Sequence, residues 1–380
     1  MRRQIDWLAD AGWEIDTLGL GPHPDPRVGD HHVVRNLPRW SSSRLAQLAL
    51  YLLVPARARF RVLATDRFPE AVSARLRDRA YGAVVFNEIE FIPWVIDRKL
   101  FDPATTHIHL DLHEFHEPTL TARTRWARLT ARHYRWIRSH IGRPEFASRS
   151  TVASGIARLY EEEFGVETLF LVRNAPPYVD LQPSPVDPDA IRLLFHGMAS
   201  WARGLTQIVE AFEGLDPRFS MTFMLTPPQR NIDRLQALID EKGLGDRMRI
   251  VPPSPMREIA RNINEHDLEI VFYPSTTTNV RLALPNKIFE AVQGRLGLVI
   301  GHSPMLEEVV TRYGNGVVVD GWQPADLRAA LESLDAAAIV GMKQASAAAA
   351  RELNAENEGR VFLSALGILP GPAGAAGAAG

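Results

Sequence analysis

The sequence predicts an α/β protein made of two doubly wound domains, each a parallel sheet with helices on both faces. Short apolar segments alternate with helical patterns from the beginning of the chain to its end, which is typical of parallel strands joined by helical crossovers. The chain has 380 residues, more than one hydrophobic core usually serves, so two domains are expected.

A polar segment near the midpoint separates the two predicted domains. Asp180 to Ala190 contains three prolines, as an interdomain linker would. We therefore predict an N-terminal domain over residues 1–179, a linker over 180–190 and a C-terminal domain over 191–366. The last helix of the C-terminal domain is a candidate for packing back on the N-terminal domain. Residues 367–380 form a Gly/Ala/Pro tail without a hydrophobic period, for which we expect disorder.

The strands are predicted from short apolar runs. In order along the chain these are Glu14 to Leu20, Ala83 to Phe86, Thr106 to Leu110, Thr168 to Val172, Ile191 to Phe195, Ser220 to Leu225, Arg249 to Val251, Glu269 to Tyr273, Leu298 to Ile300 and Val317 to Val319. Helices are predicted between them, for example at Leu205 to Phe212 and Asn286 to Gln293. Met1 opens directly into a helical pattern, so the first strand expected of a doubly wound domain is missing.

Composition argues against several classes of protein. The formal net charge of -2 gives no reason to expect a nucleic-acid binder. Cysteine is absent, so disulfides are excluded and a metal would need His, Asp or Glu ligands. The longest apolar run, Leu45 to Ala56, is too short to span a bilayer, and no signal-peptide pattern opens the chain. We expect a cytoplasmic protein, with the inner face of the membrane as a candidate location.

The turn after the first predicted strand of the second half suits a phosphate. His196-Gly197 is followed by a turn that ends at Arg203-Gly204 before a helix. The glycines permit close backbone approach, the helix N-terminus offers free N–H groups, and the Arg203 guanidinium can bind a phosphate through two hydrogen bonds. An ordinary connection between a strand and a helix would show the same local pattern.

A second candidate segment begins the helix at residue 286. Leu284-Pro285 precedes Asn286, Lys287 and, one turn later, Glu290. A carboxylate placed there can accept both hydroxyls of a ribose, while Lys287 can face a phosphate or a sugar. Taken alone, the segment also fits an ordinary amphipathic helix.

Together these segments resemble the C-terminal domain of family 4 of the retaining glycosyltransferases, in the branch written around Leu-Pro-Asn-Lys-x-Phe-Glu. The resemblance implies the GT-B fold, with two Rossmann-like domains facing a cleft. It also implies a UDP- or GDP-sugar donor substrate without a bound cofactor or metal. By the same resemblance Glu290 binds the donor ribose and Arg203 its diphosphate. Where the family often has another glutamate facing the donor sugar, this chain has Leu282.

The densest cluster of ionisable residues lies in the first half, from His107 to Glu117. It follows a short strand, so its polar end is expected at the carboxyl edge of a sheet, where doubly wound folds bind ligands. Asp111 to Glu114 resembles an Asp-x-His-Glu motif of the same family, which implies that His113 faces the cleft and assists transfer. Glu114 is the candidate to brace His113. A metal site and simple strand-end histidines remain alternatives.

A basic stretch suggests a surface for an anionic partner. Thr121 to Arg143 contains seven arginines and no acid, interleaved with tryptophan and tyrosine. At helical spacing Arg125, Arg128, Arg132 and Arg135 form one stripe. A solvated basic face explains the pattern equally well, but a second basic, apolar stretch at Arg39 to Arg61 favours an anionic membrane surface.

The resemblance implies a hexosyltransferase that transfers a sugar with retention to an envelope polysaccharide, a glycolipid or a small acceptor. Arg203 and Lys287 would stabilise the departing diphosphate, and the donor phosphate would help to deprotonate the acceptor. Two other functions remain open at this point. One is a sugar-nucleotide epimerase of the same fold, and the other is a non-catalytic nucleotide-sugar-binding subunit or an N-terminally truncated transferase.

Overall fold

The computed structural model describes residues 2–34, 43–68, 70–117, 125–167, 169–274 and 276–369. The chain divides into two compact units. The first contains residues 1–172 and 359–380, and the second contains residues 173–358. The predicted linker, Asp180 to Ala190, therefore lies within the second unit.

The first unit contains two parallel sheets. A two-stranded sheet pairs β1 with β2, and a four-stranded sheet has the order β3-β4-β5-β6. The strands are β1 (Ile15–Gly19), β2 (Val28–Val33), β3 (Ala83–Phe86), β4 (His107–Leu112), β5 (Ser148–Thr151) and β6 (Phe170–Leu171). The helices are α1 (Arg2–Asp10), α2 (Arg44–Leu53), α3 (Ala56–Arg67), α4 (Glu70–Asp78), α5 (Ile92–Asp97), α6 (Arg125–Arg138) and α7 (Ser154–Phe164).

The second unit is a six-stranded parallel sheet with the order β12-β11-β10-β7-β8-β9. Its strands are β7 (Ile191–Met198), β8 (Phe219–Thr226), β9 (Met248–Val251), β10 (Leu268–Val271), β11 (Gly297–Ile300) and β12 (Gly316–Val318). Its helices are α8 (Leu205–Ala211), α9 (Gln229–Glu241), α10 (Ile259–Ile263), α11 (Thr278–Arg281), α12 (Asn286–Gln293), α13 (Pro304–Tyr313), α14 (Pro324–Glu332) and α15 (Ala336–Ala349). The last helix, α16 (Ala355–Ala365), begins in this unit and ends in the first.

The strand order places a topological switch point in the second unit. From β7 the chain winds outwards through β8 and β9 on one side, and then through β10, β11 and β12 on the other. The direction of winding therefore reverses between β7 and β10. In open α/β sheets, ligands bind in the crevice at the carboxyl ends of the strands at such a point.

Apolar side chains cover both faces of the second sheet. One face packs against α8, α9 and α14, with Leu205, Leu235 and Leu327 fully buried. The other packs against α12 and α13 through Ile288, Phe289 and their neighbours. Burial on both faces explains why these strands read as continuous apolar runs in the sequence.

The end of α16 belongs to the core of the first unit. Phe362, Leu363 and Leu366 pack with Val172 and with Trp7 of α1. Among the described helices, none is long and apolar enough to cross a bilayer.

Candidate functional site

The end of β7 and the turn that follows it each contain a glycine with positive φ. Gly197 has φ +126° and Gly204 has φ +74°, both in the region that disfavours residues with a side chain. A Cβ on Gly204 would stand 1.8 Å from the backbone oxygen of Phe272, just beyond β10. The turn therefore packs its backbone directly against the end of β10, at the switch point.

Two cationic side chains converge on this turn. Arg203 Nη1 and Lys287 Cε lie 3.5 and 3.9 Å from the point where a Cβ on Gly197 would stand. Arg203 ends the short helical turn that precedes Gly204, and Lys287 lies in the first turn of α12. The predicted phosphate turn and the predicted helix start are thus brought to the same place.

Lys287 is buried without a hydrogen bond. It is 4% exposed, and its Nζ has no hydrogen-bond partner among the described residues. Nζ lies 3.8 Å from Glu269 Oε1 and 3.6 Å from the centre of the Phe195 ring. Burial lowers the pKa of Lys287 to about 8. Glu269 supplies a counter-charge without a hydrogen bond, and an anion at this position would give the ammonium group a hydrogen-bond acceptor.

His196 joins two carboxylates. Its Nδ1 lies 3.0 Å from Glu269 Oε2, and its Nε2 lies 2.8 Å from Glu290 Oε2. Burial disfavours the charged ring, but the two carboxylates prevail and raise the pKa of His196 to about 9. His196 is therefore an imidazolium at neutral pH, and it donates one hydrogen bond to each carboxylate.

This pairing fixes Glu290 while leaving part of it available. Glu290 Oε2 accepts from His196, whereas Oε1 has no hydrogen bond among the described residues. The side chain of Glu290 is 14% exposed, so it can still be reached from solvent. A carboxylate with one anchored and one open oxygen can bind a hydroxyl pair.

The remaining residues of the predicted donor site differ in their accessibility. Asn286 is the exposed first residue of α12, next to the buried Lys287. Leu282 is buried, with 7% of its surface exposed.

His113 of the first unit lies just beyond β4, against Asp111. Its Nε2 is 3.1 Å from Asp111 Oδ2 and 3.4 Å from Asn87 Oδ1. The hydrogen bond with Asp111 raises the pKa of His113 above its ordinary value, against the effect of burial. Glu114 is exposed, and its backbone oxygen accepts from Tyr160 Oη. Asp111, rather than Glu114, therefore contacts His113.

The other histidines of the predicted cluster contact hydroxyl groups. His116 Nδ1 lies 3.2 Å from the Tyr134 hydroxyl, while His107 and His109 lie beside Ser148. Across the described ranges, no group of three or more His, Asp or Glu side chains is arranged to hold a metal ion.

Three residues of these sites were not predicted from the sequence. Asp111 was within the predicted cluster without a role, His196 was named only as part of the turn, and Glu269 was named only as the start of a strand. Glu269 carried a usable signal, because an acid inside the apolar run Leu268-Glu269-Ile270-Val271 must have a buried partner. The identity of that partner depends on the fold.

The sequence matched no protein-family model and no curated protein. Solved structures do match. Sucrose-phosphate synthase from Thermosynechococcus elongatus is 16% identical, with a TM-score of 0.65 over 94% of this chain and 89% of that one. A glycosyltransferase from Rickettsia africae ESF-5 is 10% identical, with a TM-score of 0.68 over 96% and 92%. HepE from Anabaena in complex with UDP is 14% identical, with a TM-score of 0.60 over 94% and 100%.

These similarities cover nearly the whole chain and both of its units. They agree with the two sets of parallel strands and helices described above. The chain therefore has the GT-B fold, as predicted.

Proposed function

We propose that the protein is a glycosyltransferase that binds a nucleotide-sugar donor in its second unit. The observation that carries this proposal is the convergence of Arg203, Lys287 and Glu290 at the switch point of the sheet. Two cations and one carboxylate are complementary to a nucleoside diphosphate, which presents an anionic diphosphate and a ribose with two hydroxyls.

The cations explain how the donor bond would be broken. Transfer of the sugar leaves negative charge on the diphosphate, and cations already in place stabilise that charge without reorganisation. Lys287 has no hydrogen bond in the described structure, so a bound diphosphate would satisfy a buried ammonium group. Arg203 and Lys287 are the proposed ligands of the diphosphate, with Gly197 and Gly204 allowing its close approach.

The carboxylate explains the preference for a nucleotide. Glu290 is held by His196 through one oxygen, and we assign the ribose hydroxyls to the other. Asn286, exposed at the start of the same helix, is proposed to contact the donor. A uridine or guanosine donor fits these groups, and the UDP complex of the Anabaena protein favours testing UDP first.

For the transfer itself, we propose that the first unit binds the acceptor and that His113 assists. Family resemblance supports retention of configuration, with the donor phosphate helping to deprotonate the acceptor hydroxyl. Asp111 takes the bracing role expected of Glu114, since it is the carboxylate in contact with His113. The proposed acceptor is an envelope polysaccharide, a glycolipid or a small molecule.

A thermal-shift titration tests the donor site. UDP at about 100 times its dissociation constant stabilises the folded state by about 2.7 kcal/mol, so the wild-type melting temperature should rise. Glu290→Ala removes the proposed ribose contact and should abolish most of this shift. The matched control is Glu241→Ala, which removes an exposed glutamate from α9. If Glu290→Ala and wild-type protein shifted equally, the assignment of Glu290 would be wrong.

We further propose that the first unit binds an anionic membrane surface. Helices α2 and α3 both pack on α6 around Tyr51, Phe60, His133 and Trp136.

The outer side of this helical group combines apolar and basic residues. Leu45, Leu52 and Leu53 are 80%, 63% and 79% exposed, and Arg132 and Arg135 are also exposed. Exposed leucines beside arginines suit the interface of an anionic bilayer. Of the predicted basic stripe, the side chains of Arg125 and Arg128 lie outside the described residues, as does the beginning of the Arg39 to Arg61 stretch.

Sedimentation with vesicles tests the membrane proposal. The protein should bind phosphatidylglycerol vesicles at low salt and bind phosphatidylcholine vesicles much less. Replacing Leu45, Leu52 and Leu53 with serine should weaken binding. Leu20→Ser, which changes an exposed leucine outside this surface, should not. Equal binding to both kinds of vesicle, or none, would contradict the proposal.

A further inference from the structure

A row of polar side chains crosses the interior of the first unit. His107, His109 and Asp111 alternate along β4, so their side chains lie on one face of the sheet. On the neighbouring strand β5, Ser148 pairs with His109 and Ser150 pairs with Asp111. The row therefore connects the beginning of β4 to His113, just beyond its end.

Hydrogen bonds join the members of this row one after another. His107 Nε2 and His109 Nδ1 each lie 2.7 Å from Ser148 Oγ. His109 Nε2 lies 2.8 Å from Ser150 Oγ, and Ser150 Oγ lies 2.7 Å from Asp111 Oδ1. His109 and Ser150 are fully buried, and Asp111 is 2% exposed, so water does not compete for these bonds.

The charge on Asp111 determines where the first hydrogens lie. Burial disfavours that charge, but hydrogen bonds from His113 and Ser150 hold the pKa of Asp111 below its ordinary value. An ionised carboxylate can only accept, so the Ser150 hydroxyl donates to it. The Ser150 oxygen must then accept from His109, which places a hydrogen on His109 Nε2.

The neutral state of His109 determines the positions of the remaining hydrogens in the row. Burial lowers the pKa of His109 to about 4, so at neutral pH its ring carries one hydrogen only. Since that hydrogen is on Nε2, Nδ1 accepts from the Ser148 hydroxyl. The Ser148 oxygen in turn accepts from His107 Nε2. In every hydrogen bond of the row, the donor is therefore the residue farther from Asp111 and the acceptor is the residue nearer to it.

The second oxygen of Asp111 orients His113. Asp111 Oδ2 accepts from Gln4 Nε2 at 2.5 Å and lies 3.1 Å from His113 Nε2. Asn87 Oδ1, the other group near His113 Nε2, also accepts. Both contacts require a hydrogen on His113 Nε2. Among the described residues, His113 Nδ1 has no hydrogen-bond partner.

We propose that His113 acts in transfer through Nδ1, and that Asp111, Ser150 and His109 are positioning residues that hold its ring. The proposal rests on the proposed transferase function, because that function gives His113 a reaction to assist. With Nε2–H bound to Asp111, the hydrogen that titrates is the one on Nδ1. Nδ1 then donates to a sugar hydroxyl when His113 is charged and accepts from one when it is neutral.

The orientation of the ring can be measured without any assay of activity. In protein labelled with 15N-histidine, the His113 signals are identified by their absence from the His113→Asn spectrum. Above the pKa of His113, the Nε2 shift should be that of a protonated nitrogen and the Nδ1 shift that of an unprotonated one. The opposite assignment would overturn the proposal, whether or not the protein is a transferase.

Two substitutions test which ring nitrogen of His113 assists the transfer. The amide of His113→Asn lies near the position of Nδ1, whereas the amide of His113→Gln reaches the position of Nε2. Positioned acid–base groups contribute about 10²–10⁴-fold to rate, so we expect H113N to keep at least about ten times the kcat of H113Q. Equal kcat values, or a faster H113Q, would contradict a role for Nδ1. Absence of wild-type turnover with every nucleotide-sugar would instead count against the proposed function. The 15N spectrum would still test the orientation of the His113 ring in that case.

Ser150→Ala tests the positioning residues. It removes the bond to Asp111 and the acceptor of His109 Nε2–H, so the shifts of His109 and His113 should change. The kcat should fall severalfold while the donor KM stays the same. Ser139→Ala is the matched control, because the exposed Ser139 hydroxyl donates only to the Trp136 backbone oxygen. Unchanged kcat and unchanged His113 shifts in Ser150→Ala would show that Ser150 does not position His113.

Discussion

At the scale of single residues, His196 is the group that links the two carboxylates of the proposed donor site. A buried imidazolium between Glu269 and Glu290 bonds to both carboxylates, and removing it would leave the buried charge of Glu269 and the partly buried charge of Glu290 without this shared partner. The pair of carboxylates therefore stabilises the fold only while His196 is charged.

Stability should respond to pH through His196. Its pKa is raised from 6.5 to about 9 on folding, so its contribution is complete below pH 6.5 and is lost as pH rises through 9. A shift of this size corresponds to roughly 3 kcal/mol. We expect the difference in unfolding free energy between wild type and His196→Gln to be largest at pH 6 and to shrink towards pH 10. Urea unfolding at both pH values measures it, and a difference independent of pH would refute the assigned charge.

The residues proposed for the donor site were chosen from the sequence, whereas their partners were not. Arg203 and Lys287 both lie near Gly197, and Glu290 contacts the neighbouring His196, because each occupies a fixed place after a strand or at a helix start. The brace of His113 was expected to be Glu114, its neighbour in sequence. His113 instead contacts Asp111 of β4, whereas Glu114 is exposed.

At the scale of elements, the turn between β7 and α8 depends on one close backbone contact. Gly204 lies against the Phe272 backbone oxygen, and that contact holds the loop with Arg203 over the end of β10. The site therefore depends on the absence of a side chain at position 204.

Gly204→Ala should destabilise the protein far more than glycine strain alone would. Gly243→Ala is the matched control, because Gly243 also has a positive φ, +65°, but a Cβ there meets nothing within 4 Å. We expect Gly243→Ala to cost about 1–2 kcal/mol and Gly204→Ala to cost more than about 3 kcal/mol. Unfolding free energies measure both, and equal costs would contradict the close contact.

Strands that contain a run of apolar residues were predicted from the sequence, whereas strands that lack such a run were missed. All six strands of the second unit were predicted within a few residues, since each contains a run of apolar residues. In the first unit, β2 (Val28–Val33) and β5 (Ser148–Thr151) were missed. The sequence of β5, Ser-Arg-Ser-Thr, has no apolar residue, although all four residues are buried. Ser148 and Ser150 form hydrogen bonds with β4 side chains, and Arg149 and Thr151 donate to backbone oxygens, so the burial of these polar groups is compensated only in the folded chain.

At the scale of the whole molecule, the alternation of strands and helices was sufficient to predict an α/β fold with parallel sheets. The path of the chain between the units was harder to predict. The proline-rich segment Asp180 to Ala190 lies within the second unit, where the Ser184 hydroxyl donates to the Asn264 backbone oxygen and accepts from Lys343. Proline content alone does not distinguish a linker from an extended segment packed on a domain.

A structure of the protein with bound UDP would test the proposed function most directly. The account predicts a diphosphate within hydrogen-bond distance of Arg203 and Lys287, and ribose hydroxyls on the open oxygen of Glu290, with His196 still bonded to the other. A nucleotide bound elsewhere, or bound with its diphosphate remote from both cations, would contradict it.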